Sequence, residues 1–239
     1  MLTLVLALQV IAQPSASPKV QPCDERALAH ETASAQRVVQ GHDLEAVLGD
    51  ATSPTKDWIG DWCLNLRLMR WALIGWTSAR ALAPKGGAIE LVGPTRKIVD
   101  EDLATLRSGD LGLEVEYAQT AIRAAIAAAQ DERPEMELLL AHARDLTERL
   151  VTRGRRPLWP RPFNLMAGEL WFEVDRYQEA VEAFERATAA DPSPLAWAGL
   201  ARAYAQLGNR ASACAAYRAV GAAAPKLVDE AKAFLRSCP

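Results

Sequence analysis

The sequence predicts an all-α protein of stacked antiparallel helix hairpins with a C-terminal capping helix, and three observations carry that reading. Alanine supplies 45 of 239 residues while aromatics make up 6%, a balance that favours helix over pleated strand. Apolar residues recur at steps of three and four along several segments, the spacing of one helix face. The C-terminal third repeats itself at a fixed offset, which marks an array of stacked units. With 50% apolar and 24% charged residues, the chain has the balance of a folded globular protein rather than a disordered segment. Its 27 Lys plus Arg against 30 Asp plus Glu leave a formal charge of −3. No overall basic field is available for nucleic acid.

The first element is the uncharged run MLTLVLALQVIA, Met1 to Ala12, followed by a Pro/Ser-rich stretch over 13–22. Val10 and Ala12 are spaced as at a small-residue cleavage site, so residues 1–12 read as a signal peptide, although no Lys or Arg precedes the run. The run is too short to span a bilayer, so no stable membrane span is expected. Pro22 stands directly before Cys23 where a lipoprotein signal places a small residue, which argues against a lipid anchor. The expected location is periplasmic or secreted, an oxidising setting in which the four cysteines can pair.

Residues 23–94 read as an N-terminal helical region. Asp24 to Gln40 forms a helix that Gly41 ends, a short turn follows near Leu44 to Leu48, and Asp57 to Leu82 forms the most apolar helix. Four of the seven tryptophans lie there, and Trp58, Trp62, Leu66, Met69, Leu73 and Trp76 mark one face. Asp61, Asn65, Arg67 and Arg70 interrupt it, so it reads as a buried helix and not a span. The run APKGGAIELVGP, residues 83–94, reads as a loop. Residues 95–160 hold a short helix from Arg96 to Leu106, then helices from Leu113 to Gln130 and from the turn at Asp131 to Pro134 to about Val151. So short a link makes the last two a hairpin. Arg149, Arg153, Arg155, Arg156 and Arg161 could gather beside Trp159 as an anion site, but cations at a helix end and a proline-stiffened linker explain them more simply.

Residues 161–239 carry the repeat. At an offset of 33 residues, Trp171 pairs with Tyr204, Asp175 with Gly208, Ala180 with Ala213, Phe184 with Tyr217 and Pro192 with Pro225. In each unit a helix presents a large aromatic, a second helix places a small residue where backbones come close, and an aromatic four residues later fills the space beside the next helix. The prolines stop each second helix. These residues resemble the tetratricopeptide repeat (TPR): Gly168, Trp171, Ala180, Phe184, Ala187 and Pro192 match its pattern in the first unit. Trp197, Leu200, Tyr204, Gly208, Ala213, Tyr217 and Pro225 match it in the second, with Ala201 and Val220 as departures. The resemblance implies a TPR-like α-solenoid, in which the hairpin from Leu113 to Val151 is a degenerate unit and Lys226 to Ser237 a cap helix with Leu227, Ala231, Phe234 and Leu235 inward.

Four cysteines allow three connectivities. Cys214 and Cys238 stand at similar heights on either side of Pro225 in an antiparallel helix pair, which favours their disulfide and leaves Cys23 with Cys63. His30, His42 and His142 give no metal-ligand spacing, and His30-Glu31 lacks the second helical histidine of a zinc protease, since residue 34 is Ser. No phosphate loop, nucleophile elbow or dinucleotide fingerprint occurs. The expectation is a non-enzymatic, cofactor-free scaffold. The resemblance implies a concave groove lined by Leu165, Glu169, Phe172 and Glu173 from the first unit and Ala198, Arg202, Ala205 and Gln206 from the second. That mixture suits an extended protein or peptide segment with apolar and basic side chains. The groove positions where some relatives carry Lys and Asn to hold a C-terminal carboxylate are Leu165 and Glu169 here, so the resemblance does not extend to that activity. The alternative is a small-molecule binding or transport-accessory protein with a cavity beside the Trp-rich helix 57–82.

Overall fold

A computed structural model describes residues 64–81, 92–106, 111–155, 161–221 and 225–238. Nine α-helices and no strand occur among them. The first, α1, runs Leu64–Ala81, and α2, Val92–Lys97, leads through a wide turn at Ile98–Asp102 and a tight turn at Ala104–Leu106. Three hairpins follow: α3 Gly112–Ala129 with α4 Arg133–Thr152, α5 Phe163–Glu173 with α6 Tyr177–Ala190, and α7 Pro194–Gln206 with α8 Arg210–Arg218. The last helix, α9, is Pro225–Leu235. The signal peptide, the helix at 24–40, Trp58, Trp62, Cys23, Cys63, His30 and His42 lie outside the described residues.

The helix starts follow from local chemistry. Ser193 precedes α7, and its hydroxyl accepts from the Ala196 N–H at 3.2 Å, while Pro194 supplies a preset φ at the first position. Asn209 caps α8 in the same way through the Ser212 N–H at 3.2 Å. Helix α2 departs from expectation by starting at Val92, inside the stretch read as loop. Pro94 permits this because the first turn needs no N–H from it. The helix expected over 96–106 also changes pitch: Leu103 N–H reaches back to the Ile98 carbonyl at 2.8 Å, while Gln119 of α3 donates to the Val99 carbonyl at 2.6 Å. A side chain that takes a helical carbonyl is a recognised cause of such a break.

The three hairpins share one turn. Asp131, Asp175 and Gly208 all adopt left-handed φ, at 58°, 61° and 73°. After each, the N–H of Glu132, Arg176 or Asn209 bonds five residues back, to the carbonyl of Ala127, Trp171 or Tyr204. This closing pattern satisfies carbonyls that the helix end leaves open. It also explains why Asp and Gly exchange at that position, both tolerating the left-handed region.

Counted from that residue, seven positions back stand Ala124, Gly168 and Ala201, and nine positions on stand Leu140, Phe184 and Tyr217. All six are buried. The first hairpin therefore meets alanine with leucine where the second meets glycine with phenylalanine, which exchanges volume across one contact. Phe184 is the tightest case. A Cβ built on Gly168 would lie 2.7 Å from its ring, and one on Gly199 of the next hairpin 2.4 Å from it. Helices α5 and α7 both leave out a side chain so that one ring can join two units.

Two apolar clusters result. One unites α1, the turns after α2, α3, α4 and part of α5, and the other unites α5 through α9. Trp171 packs against both and so couples them. Trp76 belongs to the first cluster at 2% exposure, as core rather than as a cavity wall. No helix among the described residues is long and apolar enough to cross a membrane.

Candidate functional site

Helix α5 carries Glu169 and Glu173 one turn apart, which places them on one face. Two arginines from outside the helix meet that face. Arg80, in the last turn of α1, pairs with Glu173 Oε2, and its guanidinium lies over the Trp76 ring at 5.9 Å from the centroid. Arg161, just before α5, brings Nε to 3.3 Å from Glu169 Oε2. Its backbone is held by the buried Tyr117 of α3, whose hydroxyl donates to the Arg161 carbonyl at 2.7 Å. Burial pushes the Tyr117 phenol far above its ordinary value, so it remains a donor. Burial likewise depresses Arg80, with Glu169 opposing that effect and Arg161 adding to it. Arginine stays charged under such a shift.

The cluster is incompletely satisfied. Arg161 is 9% exposed, and its Nε and Nη1 find no hydrogen-bond partner among the described residues. The same holds for Glu169 Oε2 and Glu173 Oε1. A buried polar group without a partner costs about 1–3 kcal/mol. Charge is balanced here while hydrogen bonding is not.

The second unit is more regular. Arg202 of α7 grips Glu230 of α9 with both prongs, Nε donating to Oε1 at 2.6 Å and Nη2 to Oε2. The Tyr217 hydroxyl of α8 donates to the same Glu230 Oε1 at 2.8 Å. Desolvation pushes the Glu230 carboxyl up, but the bonds from Arg202 and Tyr217 outweigh it and hold the group below its ordinary value. At the far end, Cys214 and Cys238 form a disulfide with Cα atoms 6.0 Å apart, and Arg210 donates to the Ser237 carbonyl at 2.6 Å.

The groove residues expected from the sequence thus fall into three kinds. Leu165 and Ala198 are buried core. Glu169, Glu173 and Arg202 are ion-paired within the chain. Phe172 and Ala205 are half-buried, Phe172 lying 5.3 Å from the Tyr177 ring centroid, and Gln206 is exposed. Sequence reasoning missed Arg80, Glu230 and the role of Arg161. Arg161 stood in an arginine-rich run, whose described members pair separately: Arg149 with Asp145 of the same helix, Arg155 with Glu114 of α3 and Arg161 with Glu169 of α5. Arg156 and Trp159 lie outside the described residues.

Other chemistry is sparse. His142 contacts Glu116 at 3.1 Å. No group of three His, Cys, Asp or Glu that could hold a metal occurs among the described residues. A cleft of about 350 Å³ lies where α2 meets α3, lined by Arg96, Asp100, Arg123 and Gln130 among others. Arg123 donates to Asp100 at 2.6 Å across it.

Paired helices that repeat one turn, with a small and a large residue at the same two positions, define a helical-repeat protein. Residues 163–194 and 195–227 each match the family model described as tetratricopeptide repeat, so these residues form two tetratricopeptide-repeat units. No curated protein and no solved structure matches the chain. Repeats of this kind suggest a protein-interaction scaffold with protein partners.

Proposed function

We propose that the protein is an exported, non-enzymatic scaffold that holds an extended protein or peptide segment, rich in basic and apolar side chains, along the groove face of α5 and α7. The observation that carries this reading is the carboxylate pair Glu169 and Glu173 on one face of α5, beside half-buried Phe172 and in line with exposed Gln206 on α7. The location is periplasmic or secreted. Support for export comes from the apolar leader at 1–12 and from a disulfide that an oxidising compartment maintains.

Photocrosslinking in the host cell tests the groove. A benzophenone side chain at Gln206 should capture a protein partner, and one at Glu182, exposed on α6, should not. Equal capture at both, or capture at Glu182 alone, contradicts the assignment. Mass spectrometry of the same protein should find a chain that begins after Ala12 and a peptide linked through Cys214 and Cys238. An intact leader with reduced thiols would contradict export.

A further inference from the structure

The carboxylate face of α5 is already occupied by a residue of the chain itself, and the fit is poor. Arg80 meets Glu173 through Oε2 alone and leaves Oε1 without a hydrogen bond, although a guanidinium can bridge both oxygens of a carboxylate. The Glu173 side chain is 10% exposed and that of Arg80 31%, so the cation is the outer, displaceable member of the pair. Beside them Arg161 turns Nε toward Glu169 Oε2 at 3.3 Å and leaves Nη1 with no acceptor, its backbone fixed by Tyr117. The empty valences are therefore one carboxylate oxygen that wants a second prong and one guanidinium edge that wants an oxygen.

We propose that Arg80 is an internal stand-in for an arginine of the bound segment, and that the place its guanidinium takes beside Glu173 is an arginine subsite of the groove, opened when Arg80 leaves. An arginine residue in an extended chain supplies both missing groups. Its guanidinium bridges Glu173 in place of Arg80, and its main-chain carbonyl accepts from Arg161. Lysine offers a point charge that cannot bridge, and a neutral or acidic side chain leaves Glu173 buried and unpaired. Trp76, one turn earlier on α1, is core at 2% exposure. Helix α1 therefore stays in place and only the Arg80 side chain swings out to water. This inference rests on the groove reading above and assigns its specificity.

The test uses the full, oxidised chain and fluorescence anisotropy with a labelled Leu/Ala peptide bearing one central arginine, and the same peptide with citrulline, its uncharged near-isostere. Arg80→Ala should bind the arginine peptide more tightly than the parent chain, by about tenfold if Arg80 closes the site in about nine molecules of ten. The citrulline peptide should gain nothing, and Glu173→Gln should abolish the preference for arginine. Arg80→Gln, which keeps a hydrogen-bond donor on Glu173, should show the same sign and guards against loss of fold in the alanine variant. Equal affinity for the two peptides, or no gain on removing Arg80, overturns the subsite. Partner capture at Gln206 with no arginine preference would sink this inference and leave the groove reading intact, whereas no capture at Gln206 would overturn the groove reading and this inference with it.

Discussion

Gly199→Ala is the substitution whose effect the packing decides most sharply. In an exposed helix the change should stabilise by about 1 kcal/mol, since alanine is the better helix former. Here the new Cβ would stand 2.4 Å from Cε1 and Cζ of Phe184, against about 3.5–4 Å for carbons in contact. The ring has nowhere to go. Phe184 is 2% exposed, and retreat drives it into α5, where a Cβ at Gly168 would already lie 2.7 Å away. Overpacking of this kind costs about 1–3 kcal/mol, so the net loss should be up to about 2 kcal/mol once helix propensity is set against it. Phe184→Leu alone should also destabilise, by about 1–2 kcal/mol through the cavity it leaves. The double variant should be more stable than the sum of the two, by about 1–2 kcal/mol, because leucine restores the room the Cβ needs. Urea unfolding of the oxidised chain, followed by helical circular dichroism, measures all four corners of the cycle. Stabilisation by Gly199→Ala, or strict additivity, would refute the claim that one ring joins the two units.

Two further outcomes follow from the C-terminal end. Glu230 is held below its ordinary value by Arg202 and Tyr217, so its contribution is present above the pKa of an unfolded glutamate and is lost as pH falls through the depressed folded value. Protection factors of the α9 amides, corrected for the intrinsic exchange rate, should therefore fall at acid pH in the parent chain, and Glu230→Gln should show lower protection already at neutral pH and lose that pH dependence. Cys214→Ser should lower stability by about 3 kcal/mol, as expected for a loop of 24 residues, and the difference in urea midpoint between parent and variant should vanish when both are measured in reductant.

Much of this architecture is written in residue pairs that one sequence already displays. Ala180 with Ala213 and Phe184 with Tyr217 announce the close helix crossing and the ring that fills it, because stacking demands a small and a large residue at fixed spacing. Cys214 and Cys238 are legible for a related reason: an antiparallel pair about Pro225 brings them level. Gly199 was not legible as a packing residue, since the repeat offset aligns it with Met166 and its need for a missing Cβ arises only when Phe184 of another unit arrives. The same limit hid the site's partners. Glu169 and Glu173 could be placed on a groove face by helical spacing, but Arg80 lies 93 residues before Glu173, and no local period links them. Ion pairs between distant helices depend on how those helices pack, which residue type alone leaves open among many arginines. The pitch change after α2 escaped for the same reason, being driven by Gln119 from the following helix.

The groove proposal holds that a partner segment lies against α5 and α7. Hydrogen exchange of the full chain with and without the partner captured at Gln206 tests it most directly. The prediction is new protection along Phe163–Glu173 and Pro194–Gln206, with Tyr177–Ala190 and Arg210–Arg218 unchanged on their exposed faces. Protection confined to α6 and α8, or to the cleft where α2 meets α3, would contradict it.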